Sequence, residues 1–171
     1  MVEHQDWLSK TSNYGELILP PLPISLGELR VDPASADPTL TEPKGRWLLV
    51  QVAPQGRCET ACRAGLHQGK QVWLRLSKDL PRVRRLLITT ELPLDAAAAQ
   101  AVREGDDTLI IAKASSNQQK ILEAQALTVG AGATLWLLDP LGNLMMRYPL
   151  DYDPHGLLRD LQRLLKASQA G

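Results

Sequence analysis

Arg46-Trp-Leu-Leu-Val-Gln-Val-Ala53, running on to Cys58-Glu-Thr-Ala-Cys62, is the stretch that decides the fold. Its first eight residues are nearly all apolar and lack the alternation of a half-solvated strand. That is the pattern of a strand buried on both faces inside a helix-covered sheet. Beyond the cysteines, Leu66, Val72, Trp73, Leu76 and Leu80 recur at helical spacing through Asp79, which places Cys58 at or just before a helix N-terminus. The chain's two cysteines therefore sit together at a strand-to-helix junction. Two thiols in that setting can form a disulfide, donate electrons or hold a soft metal ion.

Four residues of helical rise span about 6 Å, within the usual Cα separation of a disulfide, so the pair can bridge with little backbone adjustment. A thiol at a helix N-terminus meets unpaired backbone N–H groups and the positive end of the helix dipole, both of which favour thiolate. Arg57 adds to that effect and Glu59 opposes it. On this reading Cys58 is the more exposed nucleophile and Cys62 the resolving thiol, one turn deeper.

The rest of the chain supplies the partners of such a strand. Val83 to Glu91 reads as a second buried strand, and Asp95 as the cap of a helix over Ala96 to Glu104 that Gly105 ends. Thr108 to Ala112 follows as a short strand, and Ser115 caps a weaker helix reaching about Leu127. Ala133 to Leu138, Asp139-Pro-Leu-Gly142 and Asn143 to Tyr148 form two strands joined by a tight turn. Asp153 caps the last helix, Pro154 occupies its first turn, and Leu157, Leu158, Leu161, Leu164 and Leu165 make one apolar stripe. This order implies an α/β fold: a mostly parallel central sheet with a C-terminal β-hairpin and helices on both faces.

Ahead of the first buried strand, Pro20, Pro21, Pro23, Pro33, Pro38 and Pro43 account for six of the twelve prolines. This density rules out regular helix and favours extended chain. The apolar residues among them, Leu17, Ile18, Leu19, Leu22, Ile24 and Leu26, indicate packing on the domain with at most short strands. Residues 1–44 are read as this proline-rich arm and residues 45–171 as the domain. At 18.8 kDa one core is expected. Lys+Arg equals Asp+Glu at 19 each, so no net field draws the chain to nucleic acid or an acidic membrane. Phe is absent and aromatics are few, which disfavours base stacking. No run approaches the roughly 20 apolar residues of a membrane span, and a soluble chain is expected as written.

A buried strand entering a two-cysteine helix, with a later hairpin and a closing amphipathic helix, resembles the thioredoxin-like fold. The spacing Cys-x-x-x-Cys looks like its SCO/SenC branch, copper and thiol proteins that assist cytochrome c oxidase assembly. Gly45 to Ala53 running into Cys58 and Cys62, Leu135-Trp-Leu-Leu-Asp-Pro-Leu-Gly142, and the terminal helix carry the likeness over about residues 45 to 168. The resemblance implies thiol-disulfide redox chemistry at Cys58 and Cys62, or Cu(I) bound by the same two residues. It also implies a protein client such as an oxidase subunit or copper chaperone, and a place on the periplasmic side of the inner membrane. An N-terminal anchor absent from this chain would provide the tether. A scaffolding role in assembly is the further alternative.

Several positions depart from that pattern. Glu59 stands where copper-binding members have Pro after the first Cys, and Thr128-Val-Gly-Ala-Gly-Ala133 contains neither the histidine of the family's copper site nor the cis-Pro usual opposite thioredoxin-like cysteines. Gln55 replaces the Thr that peroxiredoxin chemistry expects three residues before Cys58. The departures shift the expectation from copper ligation toward dithiol chemistry.

Other chemistry-bearing residues have plainer readings. His67, about 140° around an ideal helix from Cys62, should point to solvent. His4 lies near the chain start and His155 at the start of the last helix, neither within a motif. Met145 and Met146 should face opposite sides of a strand and so cannot enter one site. Glu91 reads as a solvated strand-end acid more readily than as a proton shuttle. Arg82, Arg84 and Arg85 read as a solvated edge or a weak surface for an acidic partner.

Overall fold

The computed structural model describes residues 13–32, 43, 45–53, 57–92, 94, 96, 99–100, 106, 108–125 and 134–168. They form a sheet of seven strands: β1 (Glu16–Pro23), β2 (Arg30–Val31), β3 (Trp47–Ala53), β4 (Val83–Thr89), β5 (Leu109–Lys113), β6 (Thr134–Leu138) and β7 (Asn143–Pro149). Helices α1 (Thr60–Leu74), α2 (Ser116–Ala124) and α3 (Pro154–Ala167) pack on it. The strand order is β1-β7-β6-β3-β4-β5-β2, which puts β3, the strand leading to the cysteines, at the centre. All of β4 and all but one residue of β3 are buried, as continuous apolar runs require of strands covered on both faces.

The expected mostly parallel sheet is corrected. Only the β3–β4 and β4–β5 pairings are parallel, while β3–β6, β6–β7, β1–β7 and β2–β5 are antiparallel. Periodicity locates strands but not their direction, and here β6 enters reversed beside β3 before the hairpin turns back.

The two faces carry different helices. Trp47 and Leu49 of β3 pack with Val72, Trp73 and Leu76 from α1 and its end and with Leu157, Leu161 and Leu164 of α3. Leu48 and Val50 point the other way, with Leu86, Ile88, Trp136 and Leu122 of α2. This is the period-two division of a strand between two layers.

The N-terminal arm is more regular than expected. Its eight-residue strand β1 pairs with β7, and Pro20, Pro21 and Pro23 are tolerated because β1 is the outermost strand. A register shift between Leu17 and Leu22 absorbs the irregularity. The arm then passes over the α2 side, where Ile24, Leu26 and Leu29 pack, and pairs as β2 on the opposite edge with β5. Gly142, at φ +85° in the hairpin turn, accepts the Ile24 amide at 2.8 Å, and a Cβ there would meet the Ile24 carbonyl at 2.9 Å. Asp139 closes the turn by accepting from the Leu141 and Asn143 amides, both at 2.9 Å.

Met145 and Met146 join the same buried cluster. Leu137 pairs with Met146 and Leu138 with Leu144, so Met145 is the extra residue of a bulge, which defeats simple alternation. The helix over 96–104 falls largely outside the described residues, although Ala96, Ala99 and Gln100 are helical. So does the end of the Ser115 helix beyond Gln125.

α2 begins with a full capping box: Ser115 Oγ accepts the Gln118 amide at 3.1 Å and Gln118 Oε1 accepts the Ser115 amide at 2.9 Å. Ser115→Ala should cost about 1 kcal/mol. Thermal melting should show this as a fall of about 2–4 °C, and an unchanged melting temperature would show that the cap contributes nothing.

Candidate functional site

β3 ends at Ala53, and α1 starts at Thr60 with Glu59 as its N-cap. Glu59 makes no side-chain cap bond to the first-turn amides of α1. Cys58 and Cys62 are joined in a disulfide with Cα atoms 5.2 Å apart, as their spacing allows.

Their exposures are the reverse of the expected order. Cys58 is 4% exposed and packs with Ala53, Leu66, Leu87, Leu94, Leu109 and Ile111, whereas Cys62 is half-buried. Arg57, Glu59, Thr60 and Ala61 around Cys58 are all exposed, so the Cys58 side chain alone turns inward from that segment. The helical position of Cys62, in the first turn of α1, leaves it nearer the surface. Helix polarity does not report burial.

Two buried polar side chains reach from the sheet to the cysteine helix. Gln51, the one polar residue within β3, donates from Nε2 to the Cys62 carbonyl at 3.2 Å. Its Oε1 occupies space that a Cβ on Gly65 would enter. Arg85 of β4 donates from Nη2 to the Leu66 carbonyl at 3.0 Å and pairs with Asp106 at 3.1 Å. α1 is thus held at carbonyls four residues apart, one of them at the disulfide. Gln68 adds a bond of 2.7 Å to the Tyr152 carbonyl.

The arginines are not a solvated edge. Arg84 is buried and donates from Nη1 to the Pro81 and Val83 carbonyls; burial first, then the charge of Arg46, lowers its pKa. Arg82 pairs with Asp79 at 3.3 Å and donates to the Leu165 carbonyl and Ser168 Oγ at the end of α3. β4 is covered on both faces, so its long side chains find carbonyl and carboxylate partners within the fold. Beside Arg85, burial pushes the Tyr152 phenol up.

Of the remaining polar candidates, those within the described residues have exposed side chains. His67 and His155 are exposed on α1 and at the start of α3, and Glu91 is exposed beyond β4. His4 and 128–133 lie outside the described residues. Sequence reasoning missed Gln51, Arg85 and Asp106 as supports of the site. The available signal was a Gln and an Arg inside runs otherwise buried on both faces, where an unpartnered polar group is costly.

A central strand that delivers a cysteine pair into the first turn of a helix, backed by an antiparallel hairpin and a closing helix, defines a thioredoxin-like domain. The chain belongs to the transmembrane-like, thioredoxin-like C-terminal domain family, which it matches over residues 47–168. No curated protein matches it in sequence. Among solved structures it resembles apo Sco1 from Thermus thermophilus, at 19% identity and a TM-score of 0.61, covering 90% of this chain and 98% of that one. Copper-bound yeast Sco1 follows at 16% identity and a TM-score of 0.55, covering 74% and 82%. The thioredoxin domain of a thiol-disulfide oxidoreductase from Bacteroides vulgatus gives 14% and 0.52, covering 82% and 95%. At these identities the likeness is one of fold, and the expected Sco-type structural neighbours are present.

Proposed function

We propose that the protein is a thiol-disulfide exchange factor acting through Cys58 and Cys62 on a protein client, in the assembly of a copper site or of cytochrome c oxidase. The observation that carries this reading is the Cys58–Cys62 bridge at the β3–α1 junction of a thioredoxin-like domain. In the reduced state one thiolate attacks a client disulfide, and the second then displaces the client thiol and restores the internal bridge. Two electrons pass to the client, and an external dithiol returns the protein to its reduced form. An oxidising compartment such as the periplasm suits this chemistry, because disulfides persist there.

When reduced, the same two sulfurs are a soft donor pair suited to Cu(I). Among the described residues no group of three His, Cys, Asp or Glu side chains is assembled. Equilibration of the protein in glutathione buffers of graded potential should give a reversible two-electron transition, and Cys58→Ser should abolish reduction of a model protein disulfide. Folded protein whose thiols neither react nor re-form the bridge sinks the reading. Chelator-resistant uptake of one Cu(I) without disulfide exchange would establish a copper carrier in its place.

A further inference from the structure

We infer that Cys62, not Cys58, is the sulfur at which exchange with an external partner takes place, and that Cys58 is the internal resolving thiol. This rests on the exchange reading above and reverses the order usual for a cysteine pair at a helix start. An attacking thiolate must approach the target sulfur along the S–S axis, so access to that sulfur decides which one is attacked.

Cys58 is closed off by aliphatic side chains from β3, β4, β5 and α1: Ala53, Leu87, Leu109, Ile111 and Leu66. Cys62 is half-buried, in a first turn whose neighbours Ala61 and Arg63 are exposed. Apolar enclosure keeps a thiol protonated and inert, while partial exposure in the first turn of a helix favours a reactive thiolate. Gln51, bonded to the Cys62 carbonyl at 3.2 Å, fixes that residue's backbone, and Cys62 packs only partly against the apolar cluster that encloses Cys58.

The steps balance in either direction. An external thiolate bonds to Cys62 Sγ, the Cys58–Cys62 bond breaks, and Cys58 departs as a thiolate that takes a proton from solvent. A second reductant thiolate then attacks the reductant sulfur of this mixed disulfide, frees Cys62 as a thiolate and leaves as the reductant disulfide. In reverse, the Cys62 thiolate attacks the client disulfide and expels one client thiolate; Cys58, deprotonated, then attacks Cys62 Sγ and expels the second.

The test uses the full chain as Cys58→Ala and Cys62→Ala, with oxidised glutathione and 5,5′-dithiobis(2-nitrobenzoate) as probes and circular dichroism to check folding. Cys62 in the Cys58→Ala protein should react at least about tenfold faster than Cys58 in the Cys62→Ala protein. A second measurement needs no substitution: wild-type disulfide mixed briefly with reduced glutathione, quenched with acid and mapped by fragment ions, should carry glutathione on Cys62. Equal rates, a faster Cys58, or glutathione mainly on Cys58 overturns the assignment while leaving exchange itself intact. A wild-type bridge that no thiol opens, with both single cysteines inert, overturns the exchange reading and this assignment together.

Discussion

Asp106→Ala is expected to lower stability by about 3 kcal/mol and the melting temperature by about 6–12 °C. Asp106 meets the Arg85 guanidinium as a fork, with Nη2 to Oδ2 at 3.1 Å and Nη1 to Oδ1 at 3.4 Å. The Arg85 side chain is 4% exposed and that of Asp106 12%, so the guanidinium in particular has little water to fall back on. Thr108 supports the carboxylate from its amide at 3.2 Å and its hydroxyl at 2.7 Å. Truncating Asp106 strands a buried guanidinium, and stranding is what makes such a change severe. A double replacement, Arg85→Leu with Asp106→Leu, should therefore cost less than the sum of the single changes.

The same pair carries a pH signature. Burial alone would raise the Asp106 carboxyl, but the Arg85 charge and the bonds from Arg85 and Thr108 outweigh it and hold the carboxyl below its usual range. A depressed folded-state pKa contributes stability above the unfolded carboxylate value of about 4 and loses it as pH falls through the lower folded value. Denaturant unfolding should show the wild-type advantage over Asp106→Asn in full at pH 7, shrinking steadily below about pH 4. A difference that stays constant down to pH 2 would mean the ion pair is not its source.

What could be read from the sequence were features set by local pattern. Largely apolar runs located β3 and β4, Ser115 and Asp153 marked helix starts, and Asp139 to Gly142 marked the hairpin turn, each of which depends on residues close in the chain. Strand direction was not legible, because β6 lies antiparallel to β3 through contacts almost ninety positions apart, as Val50 opposite Trp136 shows. The partners of Arg82, Arg84 and Arg85 were equally hidden. Arginine spacing says nothing about whether a carboxylate, here Asp106, arrives from another element. At the site, the pair and its bridging distance followed from spacing, but relative burial did not: Cys58 is enclosed by Leu87, Leu109 and Ile111 from strands that enter much later.

The arm depends on one buried carboxylate, and Asp160→Ala should release it. Asp160, 3% exposed in the middle of α3, accepts the amides of Tyr14 at 3.1 Å and Gly15 at 2.8 Å and the Tyr148 hydroxyl at 2.9 Å. Burial first, and then the Asp160 charge, pushes the Tyr148 phenol well above its ordinary value, so this hydroxyl stays a donor. The Tyr14 ring stacks on Tyr148 with centroids 5.9 Å apart and lies over Gly156, where any Cβ would collide with it. Tyr14 also accepts the Asp153 amide at 2.7 Å through its hydroxyl, covering the start of α3. Removing the carboxylate orphans three donors, each costing about 1–3 kcal/mol when it stays buried, though the arm can regain water by lifting away. A net loss of about 3 kcal/mol follows, with amide exchange at Tyr14 and Gly15 accelerating far more than exchange in β3. Asp160→Asn keeps one acceptor oxygen and should lose less. Gly156→Ala should free the same amides while leaving Asp160 in place, by driving the Tyr14 ring off its seat. Exchange at Gly15 that stays slow in both Asp160→Ala and Gly156→Ala would show that β1 pairing with β7, and not the Asp160 latch, fixes the arm.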